Sequence, residues 1–511
     1  MKLRDEIRSL TLERAWLTAL ALLLLGAALR LCALGTLPYG LNQDEASAGY
    51  EAWALLYYGV DRCGKAWPLL FVSWGSGQNV LMSYLAMPFV ALLGLSPLSI
   101  RLPNALAGCV TLVLFWLLAR RARGEKFALW ALLLLALNPW HIMASRWALE
   151  SNLLPALLLG GLLCLAYAEE KPWTLVGAGA CFGLALYAYG TAFFFLPPFL
   201  VWTLLRLRRQ LRLWPTVCAL VLFCLLAAPI ALCQLRNMLG LGDMQLLGFT
   251  LPQLTEGRQA ATSVFGGGGF RTAWENFRAN LDILAKGGDG LRYNALPFWK
   301  GGIFYFFGLP TAVLGFVVSA LQRRGRTAEW PVRAALICAL LCAFFIKGNI
   351  NRLNMLWLPL VYFSALGCRY LTRRLRGWTA LPVLAVLVCA GIFWSSYCAA
   401  FRTPGDGSYF PGLGEAIRVA EQTQPESVYI TDQVNQPYIF ALFYTRTPPE
   451  DFAGSVEYRN PRAAFRRVER FTGFAFDSPE GCEVLILPWW DSGGREVLAR
   501  CGNYVICQGD K

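Results

Sequence analysis

Asn42-Gln43-Asp44-Glu45 places two adjacent carboxylates just beyond a first hydrophobic run, at the head of an aromatic-rich stretch that reaches Tyr58. Asn42 has a side chain suited to cap a helix starting near Gln43. Asp44 then falls in the first turn, where the helix dipole helps keep a carboxylate ionised. Tyr50, Trp53, Ala54 and Tyr57 recur at helical spacing and form a face suited to the lipid headgroup zone. An ionised carboxylate held at the water–lipid boundary can act as a general base toward an acceptor hydroxyl. Acids also collect at helix N-termini for structural reasons alone, so the pair needs partners before it implies catalysis.

Candidate partners are cations and one more acid. Arg62 and Lys65, next to Trp67-Pro68, follow the Asp44 stretch and can hold an anionic phosphate by charge-assisted hydrogen bonds. Arg101 precedes Leu102-Pro103-Asn104, where an arginine can also serve as a snorkelling anchor. In the segment His141–Asn152, Arg146 and Glu150 lie four residues apart, a spacing that puts both on one helix face. Lys347-Gly348-Asn349-Ile350-Asn351-Arg352 packs two cations and two amides into one short turn, a composition that can bind an anionic headgroup. His141 is the single histidine and reads as a satisfied interface residue; with no CxxC pair, no histidine-rich metal site is expected. A divalent cation (Mg or Mn) near Asp44, Glu45 and Glu150 would suit carboxylate oxygens, and no other cofactor stands out from the sequence.

The elements that must position these residues are membrane spans. The 511-residue chain is 56% hydrophobic and 15% charged, and apolar runs near span length recur along it. The net charge of +14 does not point to nucleic acid, because the basic residues are clumped between apolar runs as topology signals are. Four clusters set the orientation: Arg120–Lys126, Arg206–Arg212, Arg323–Arg326 and Arg369–Arg376. Placing these and the N-terminus in the cytoplasm gives spans near 15–34, 102–119, 127–140, 153–168, 173–189, 191–206, 214–232, 303–321, 332–346, 353–371 and 378–398. The N-terminal run is too long for a signal-peptide core and reads as an uncleaved first helix. Leu81–Leu95 is short, contains Pro88, and is expected to lie along the outer membrane surface.

The expected fold is therefore an α-helical polytopic membrane protein of about 11 transmembrane helices. An odd span count leaves the C-terminal segment outside. Residues 1–398 form the membrane part, with outer loops at 35–101 and 233–302; Gly266–Gly269 break the second loop without phosphate-loop spacing, and Arg236 and Arg292 add cations there. Residues 399–511 read as a small extracytoplasmic α/β domain, with strands at Ser427–Thr431, Val484–Leu487 and Tyr504–Cys507 and helices at Gly414–Gln422 and Pro461–Arg470. A disulfide among Cys482, Cys501 and Cys507 is compatible with an oxidising exterior, although the odd count argues against a full framework. Most of the other cysteines, such as Cys109, Cys164, Cys181, Cys218, Cys224, Cys338 and Cys342, lie in apolar runs and read as small buried hydrophobes.

With these residues laid out, the membrane part, residues 15–398, resembles a GT-C membrane glycosyltransferase. It is most similar to the family 39 group that contains protein O-mannosyltransferases, and to the related lipid A aminoarabinose transferases. The resemblance is carried by Asp44-Glu45, by Trp67-Pro68-Leu69 before an interfacial helix, by Arg101 in Arg-Leu-Pro-Asn-Ala-Leu-Ala-Gly, and by Asn138-Pro139 through Glu150. Tyr187-Ala188-Tyr189 and Arg352 with Leu358-Pro359-Leu360 fit less specifically. The resemblance implies a sugar donor on a polyprenyl phosphate and transfer on the outer face of the plasma membrane to a glycan, lipid or protein acceptor. It implies Asp44 as catalytic base with Glu45 beside it, Glu150 in a second acidic role, and Arg101 and Arg352 as ligands of the lipid phosphate; Lys65 and Arg146 complete the expected cationic set. The mannosyltransferases carry a His-Pro-Pro-type element where this chain has Trp67-Pro68-Leu69, which tells against protein as the acceptor.

The competing class is a polytopic transporter or flippase for a lipid-linked precursor. Such proteins place ionisable residues or broken helices near the bilayer midplane. Here the span centres are apolar, no internal repeat is evident, and Pro197-Pro198 is the break that would suit transport.

Overall fold

A computed structural model describes residues 2–256, 269–290, 301–322, 326–374, 380–402 and 407–509. Gly266–Gly268, Arg292, Arg323, Arg324 and Arg376 lie outside the described residues. Each expected span coincides with a helix. In chain order these are α1 (Lys2–Leu31), α4 (Pro97–Arg123), α5 (Glu125–Ala136), α7 (Leu154–Tyr167), α8 (Thr174–Ala188), α9 (Ala192–Leu207), α10 (Leu213–Met238), α12 (Gly308–Leu321), α13 (Arg326–Phe345), α14 (Asn354–Arg374) and α15 (Ala380–Arg402). The chain is a mostly helical, multi-pass membrane protein with a small C-terminal sheet region. Six of the described helices are long and apolar enough to cross a bilayer unaided. The others are shorter or carry more charge, and depend on packing against neighbours.

Between the spans, α2 (Gln43–Tyr58) and α3 (Leu81–Leu93) cover one end of the bundle, α3 packs against both α2 and α4, and α11 (Gly269–Lys286) packs on α13. The span expected at 127–140 is not straight. Asn138-Pro139 ends α5 and starts α6 (Pro139–Ser145), with a bend of 60°, because proline cannot donate the backbone bond that would continue the helix. Asn138 caps the new helix, accepting from the His141 N–H at 3.2 Å. Pro197-Pro198, in contrast, sit inside a continuous α9.

Small residues let α12 and α14 approach backbone to backbone. A Cβ on Gly315 would lie 1.8 Å from the Phe363 carbonyl oxygen, and one on Gly367 would lie 2.0 Å from that of Thr311. The Thr311 and Ser364 hydroxyls share a 2.7 Å hydrogen bond at the same crossing. Small residues with a hydroxyl pair are the usual means of close helix packing where no water drives association. Gly315→Val is expected to cost about 3 kcal/mol or more, since the obstructing atom is backbone and cannot rotate away. A fall in the midpoint of thermal unfolding in detergent checks it; an unchanged midpoint would mean that the helices can separate freely.

The C-terminal region forms a seven-stranded mixed sheet. β5 (Val428–Ile430), at its centre, runs parallel to β8 (Phe474–Ala475) and β9 (Val484–Pro488), and β11 (Tyr504–Gln508) extends the far side. The three strands expected from the sequence are present, as is a helix at α16 (Leu413–Gln422). The helix expected at Pro461–Arg470 is not: the segment turns at Asn460, whose side chain bonds Phe465 O and Arg467 N, and then enters β7 (Val468–Phe471). Pairing with β6 (Glu457–Tyr458) and β8 overrides the local helical pattern. The expected disulfide option is also corrected, since Cys482, Cys501 and Cys507 are all free thiols, with Cys482 and Cys507 packed in the apolar core of the sheet.

This region does not stand apart from the bundle. Its helix α17 (Pro437–Thr445) lies on α2, so closely that a Cβ on Gly49 would meet the Phe443 ring at 2.7 Å. Tyr50 donates to the Thr447 carbonyl at 2.6 Å, and Arg466 N–H donates to Trp74 O at 2.8 Å.

Candidate active site

The first turn of α2 forms as its sequence dictates. The Asn42 side chain accepts from the Asp44 N–H at 2.9 Å, and the Glu45 carboxylate accepts from the Asn42 N–H at 3.1 Å, a reciprocal cap. Asp44 is half-buried in this turn, at the positive end of the helix dipole.

Its neighbour Glu45 has a different part from the one expected. Glu45 is fully buried, with both oxygens on Arg101: Nε donates to Oε1 at 2.8 Å and Nη2 to Oε2 at 2.9 Å. Oε1 also accepts from the Ala148 N–H at 3.0 Å. Arg101 directs its remaining hydrogens to the carbonyls of Leu34, Pro38 and Gly40, and its plane faces Tyr409. A pair with every nitrogen and both oxygens engaged has nothing left for a phosphate or an acceptor proton. The expectations for Glu45 as a catalytic acid and Arg101 as a phosphate ligand are corrected: together they lock α2, α4 and the chain leaving α1.

Arg146 is likewise corrected. It is buried, donates to the carbonyls of Leu29, Arg30 and Leu37, and lies over the Trp394 and Tyr397 rings. Nor does it share a helix face with Glu150, because α6 ends at Ser145 and Glu150 opens a separate 3₁₀ turn, Glu150–Leu153. His141 is an interface residue, as expected, facing the buried Arg30 guanidinium at 2.7 Å. Lys65 pairs with Asp243 at 2.5 Å, and this carboxylate holds the ammonium above its ordinary range. With Leu69 N–H on Thr250 O, the pair ties the first loop to the hairpin β3–β4 (Met244–Leu246, Phe249–Leu251). Lys65 thus serves the wall of the site.

Glu150 and Arg352 do come together. Both line a cavity of about 520 Å³, closed by the first loop at Ser76 and Asn79, by Tyr189, by Asn237, and by the second loop near Gln253. Glu150 accepts from the Asn79 N–H, which fixes the short pair β1–β2 (Leu70–Phe71, Gln78–Asn79) at the cavity edge. Arg352 donates through Nη1 to Lys347 O at 2.9 Å, and its own N–H is held by Asn349 at 2.8 Å. Phe193, Phe194 and Leu70 supply an apolar side. The volume and the mix of apolar wall with a few polar groups are those of a small-ligand site. Asp44 is not in this lining, but its helix is joined to it. Ser47, one turn on, donates to Gln78 Oε1 at 2.9 Å, beside the Asn79 that Glu150 holds.

Sequence reasoning missed the layer behind this wall. Glu51 is buried and pairs with Arg62 at 2.9 Å; Arg62 also donates to Ser47 at 2.7 Å and lies over Trp74 and Tyr438. Arg62, expected from the sequence to be a phosphate cation, is instead part of this support. Burial pushes the Glu51 carboxyl up against the pull of Arg62, and burial also lifts Asp61 against the Lys65 and Cys63 N–H groups from which it accepts. The signal was present: Glu51 is an acid inside the apolar run Ala-Gly-Tyr-Glu-Ala-Trp-Ala, and a buried carboxylate requires a cation.

The carboxylates do not assemble a cation site. Glu45 is saturated by Arg101, and among the described residues no group of three His, Cys, Asp or Glu side chains is placed to hold a metal.

Comparison with known proteins finds similarity in sequence to one family and in fold to several solved structures. Residues 78–232 match the family described as dolichyl-phosphate-mannose-protein mannosyltransferase. No curated protein matches the chain. Among solved structures, ArnT from Cupriavidus metallidurans in the apo state superposes with a TM-score of 0.57 at 12% identity, covering 97% of this chain and 98% of that one. The same enzyme bound to undecaprenyl phosphate gives 0.55 at 13% identity, covering 96% and 97%. The archaeal oligosaccharyltransferase AglB from Archaeoglobus fulgidus, in complex with an inhibitory peptide and a dolichol-phosphate, gives 0.51 at 13% identity over 85% of this chain and 64% of that one.

Proposed function

We propose that this chain, a member of the GT-C glycosyltransferase superfamily, moves a sugar from a polyprenyl-phosphate carrier to an extracytoplasmic acceptor. The observation that carries the reading is the convergence of Glu150 and Arg352 on one cavity joined to the Asp44 helix. A fold shared with a protein that binds undecaprenyl phosphate supports it.

The chemistry is a single inverting displacement. The acceptor hydroxyl attacks the anomeric carbon, its proton passes to the Asp44 carboxylate, and the bond from that carbon to the phosphate oxygen breaks. The polyprenyl phosphate leaves with the electron pair and needs no general acid. Arg352 balances its charge by charge-assisted hydrogen bonds. Glu150 accepts hydroxyl hydrogens of the bound sugar while holding Asn79 in place. The apolar side at Phe193 and Phe194 takes the first prenyl carbons. Membrane lipids surround the bundle, and the N-terminus lies in the cytoplasm with the C-terminal region outside.

Purified protein in liposomes, supplied with lipid-linked sugars and candidate glycan or lipid acceptors, tests the reading. Release of sugar to an acceptor without net movement of the carrier is expected; movement of intact lipid-linked sugar without transfer would establish the transporter class instead. Arg352→Ala is expected to raise the KM for donor about ten-fold or more, from loss of a hydrogen bond to a charged group. Unchanged donor saturation in that variant would remove Arg352 from the site.

A further inference from the structure

A second cavity lies at the end of the bundle opposite the Asp44 helix. α4 leaves the candidate site at Arg101 and reaches Arg123 at the other end, roughly 33 Å away by helical rise. There a cavity of about 330 Å³ opens between the α4–α5 junction and the ends of α12 and α14. Arg123, Lys126, Arg369 and Arg373 line it. The one acid in the lining, Glu125, already faces Arg120 at 2.7 Å. Arg123 is fixed by three bonds to buried Glu329, at 3.0, 3.1 and 2.7 Å, and one to Gln322 at 2.9 Å. Lys126 and Arg373 sit exposed at the rim, while Val318 and Leu366 make an apolar floor. The adjacent face of α12 exposes Val313, Val317 and Leu321, as a lipid-facing surface does.

We propose that this cavity binds an anionic phospholipid, its phosphodiester held by Lys126 and Arg373 and its glycerol end resting on Val318 and Leu366. Two basic clusters far apart in sequence meet around one pocket, which a topology signal alone does not require. A free phosphate would use only the cationic rim; the apolar floor beside a lipid-facing helix fits an amphiphile. Basic pockets between spans on the positively charged side are suited to anionic headgroups. The site is independent of the transfer reaction and stands or falls without it.

Full-length protein in mild detergent, incubated with phosphatidylglycerol or phosphatidylcholine of matched chains and weighed by native mass spectrometry, provides the test. Retention of phosphatidylglycerol over phosphatidylcholine is expected, and the double variant Lys126→Gln/Arg373→Gln should lose it about five-fold per cation removed. The control Arg271→Gln/Arg278→Gln, which removes two exposed cations elsewhere, should retain it like the parent protein. Equal retention of both lipids, no loss in the first variant, or an equal loss in the control would overturn the proposal. Full displacement by excess inorganic phosphate would assign the rim to free phosphate and overturn it as well.

Discussion

Asp44→Asn is expected to reduce sugar transfer by roughly 10²–10⁴-fold, the usual loss when a positioned general base is removed. The variant keeps the α2 cap, because the cap uses the backbone N–H of Asp44 and the side chains of Asn42 and Glu45. Expression, membrane insertion and thermal midpoint should therefore stay near those of the parent protein. Transfer measured in liposomes, beside a melting curve of the same preparation, separates chemistry from folding. Transfer at the parental rate with an intact fold would end the assignment of Asp44 as base.

The adjacent acid should behave in the opposite way. Glu45→Ala leaves the Arg101 guanidinium buried with its carboxylate partner gone, and breaking a buried pair from one side costs about 3–5 kcal/mol. The Ala148 and Asn42 N–H groups lose their acceptor in the same step, so the junction of α2, α4 and the segment that follows α6 loosens together. Arg101→Ala is expected to do comparable damage by stranding the carboxylate. Size-exclusion profiles and thermal midpoints of both variants measure this; a well-folded Glu45→Ala protein that is inactive only in transfer would return Glu45 to the chemistry. Asp44 and Glu45, one residue apart, thus yield a kinetic variant and a folding variant. The reason is geometric: successive helix positions point about 100° apart, and only the second faces Arg101.

The same geometry explains why residue type alone does not separate a ligand-binding arginine from a structural one. An arginine near a membrane surface carries the same signal whether it binds a ligand or backbone carbonyls. Arg101 and Arg146 each take three carbonyl oxygens where a helix ends and the chain turns. Those acceptors belong to segments distant in sequence, and no local pattern announces them. Arg352 differs because its loop returns to a cavity wall built from five other parts of the chain.

The sequence by itself determined the class of protein, the positions of its spans, the cap at Asn42 and the three adjacent strands β5, β9 and β11 of the C-terminal sheet. All of these follow from local forces: apolar run length against bilayer thickness, side-chain capping, and alternation along a strand. Tertiary structure alone decided which charges serve the fold and which face the cavity, that α17 seats on α2, and that the Pro461–Arg470 segment pairs as strand. Those outcomes depend on which partner a charge or backbone group meets after burial. In a low-dielectric interior that partner, more than residue type, sets the energy.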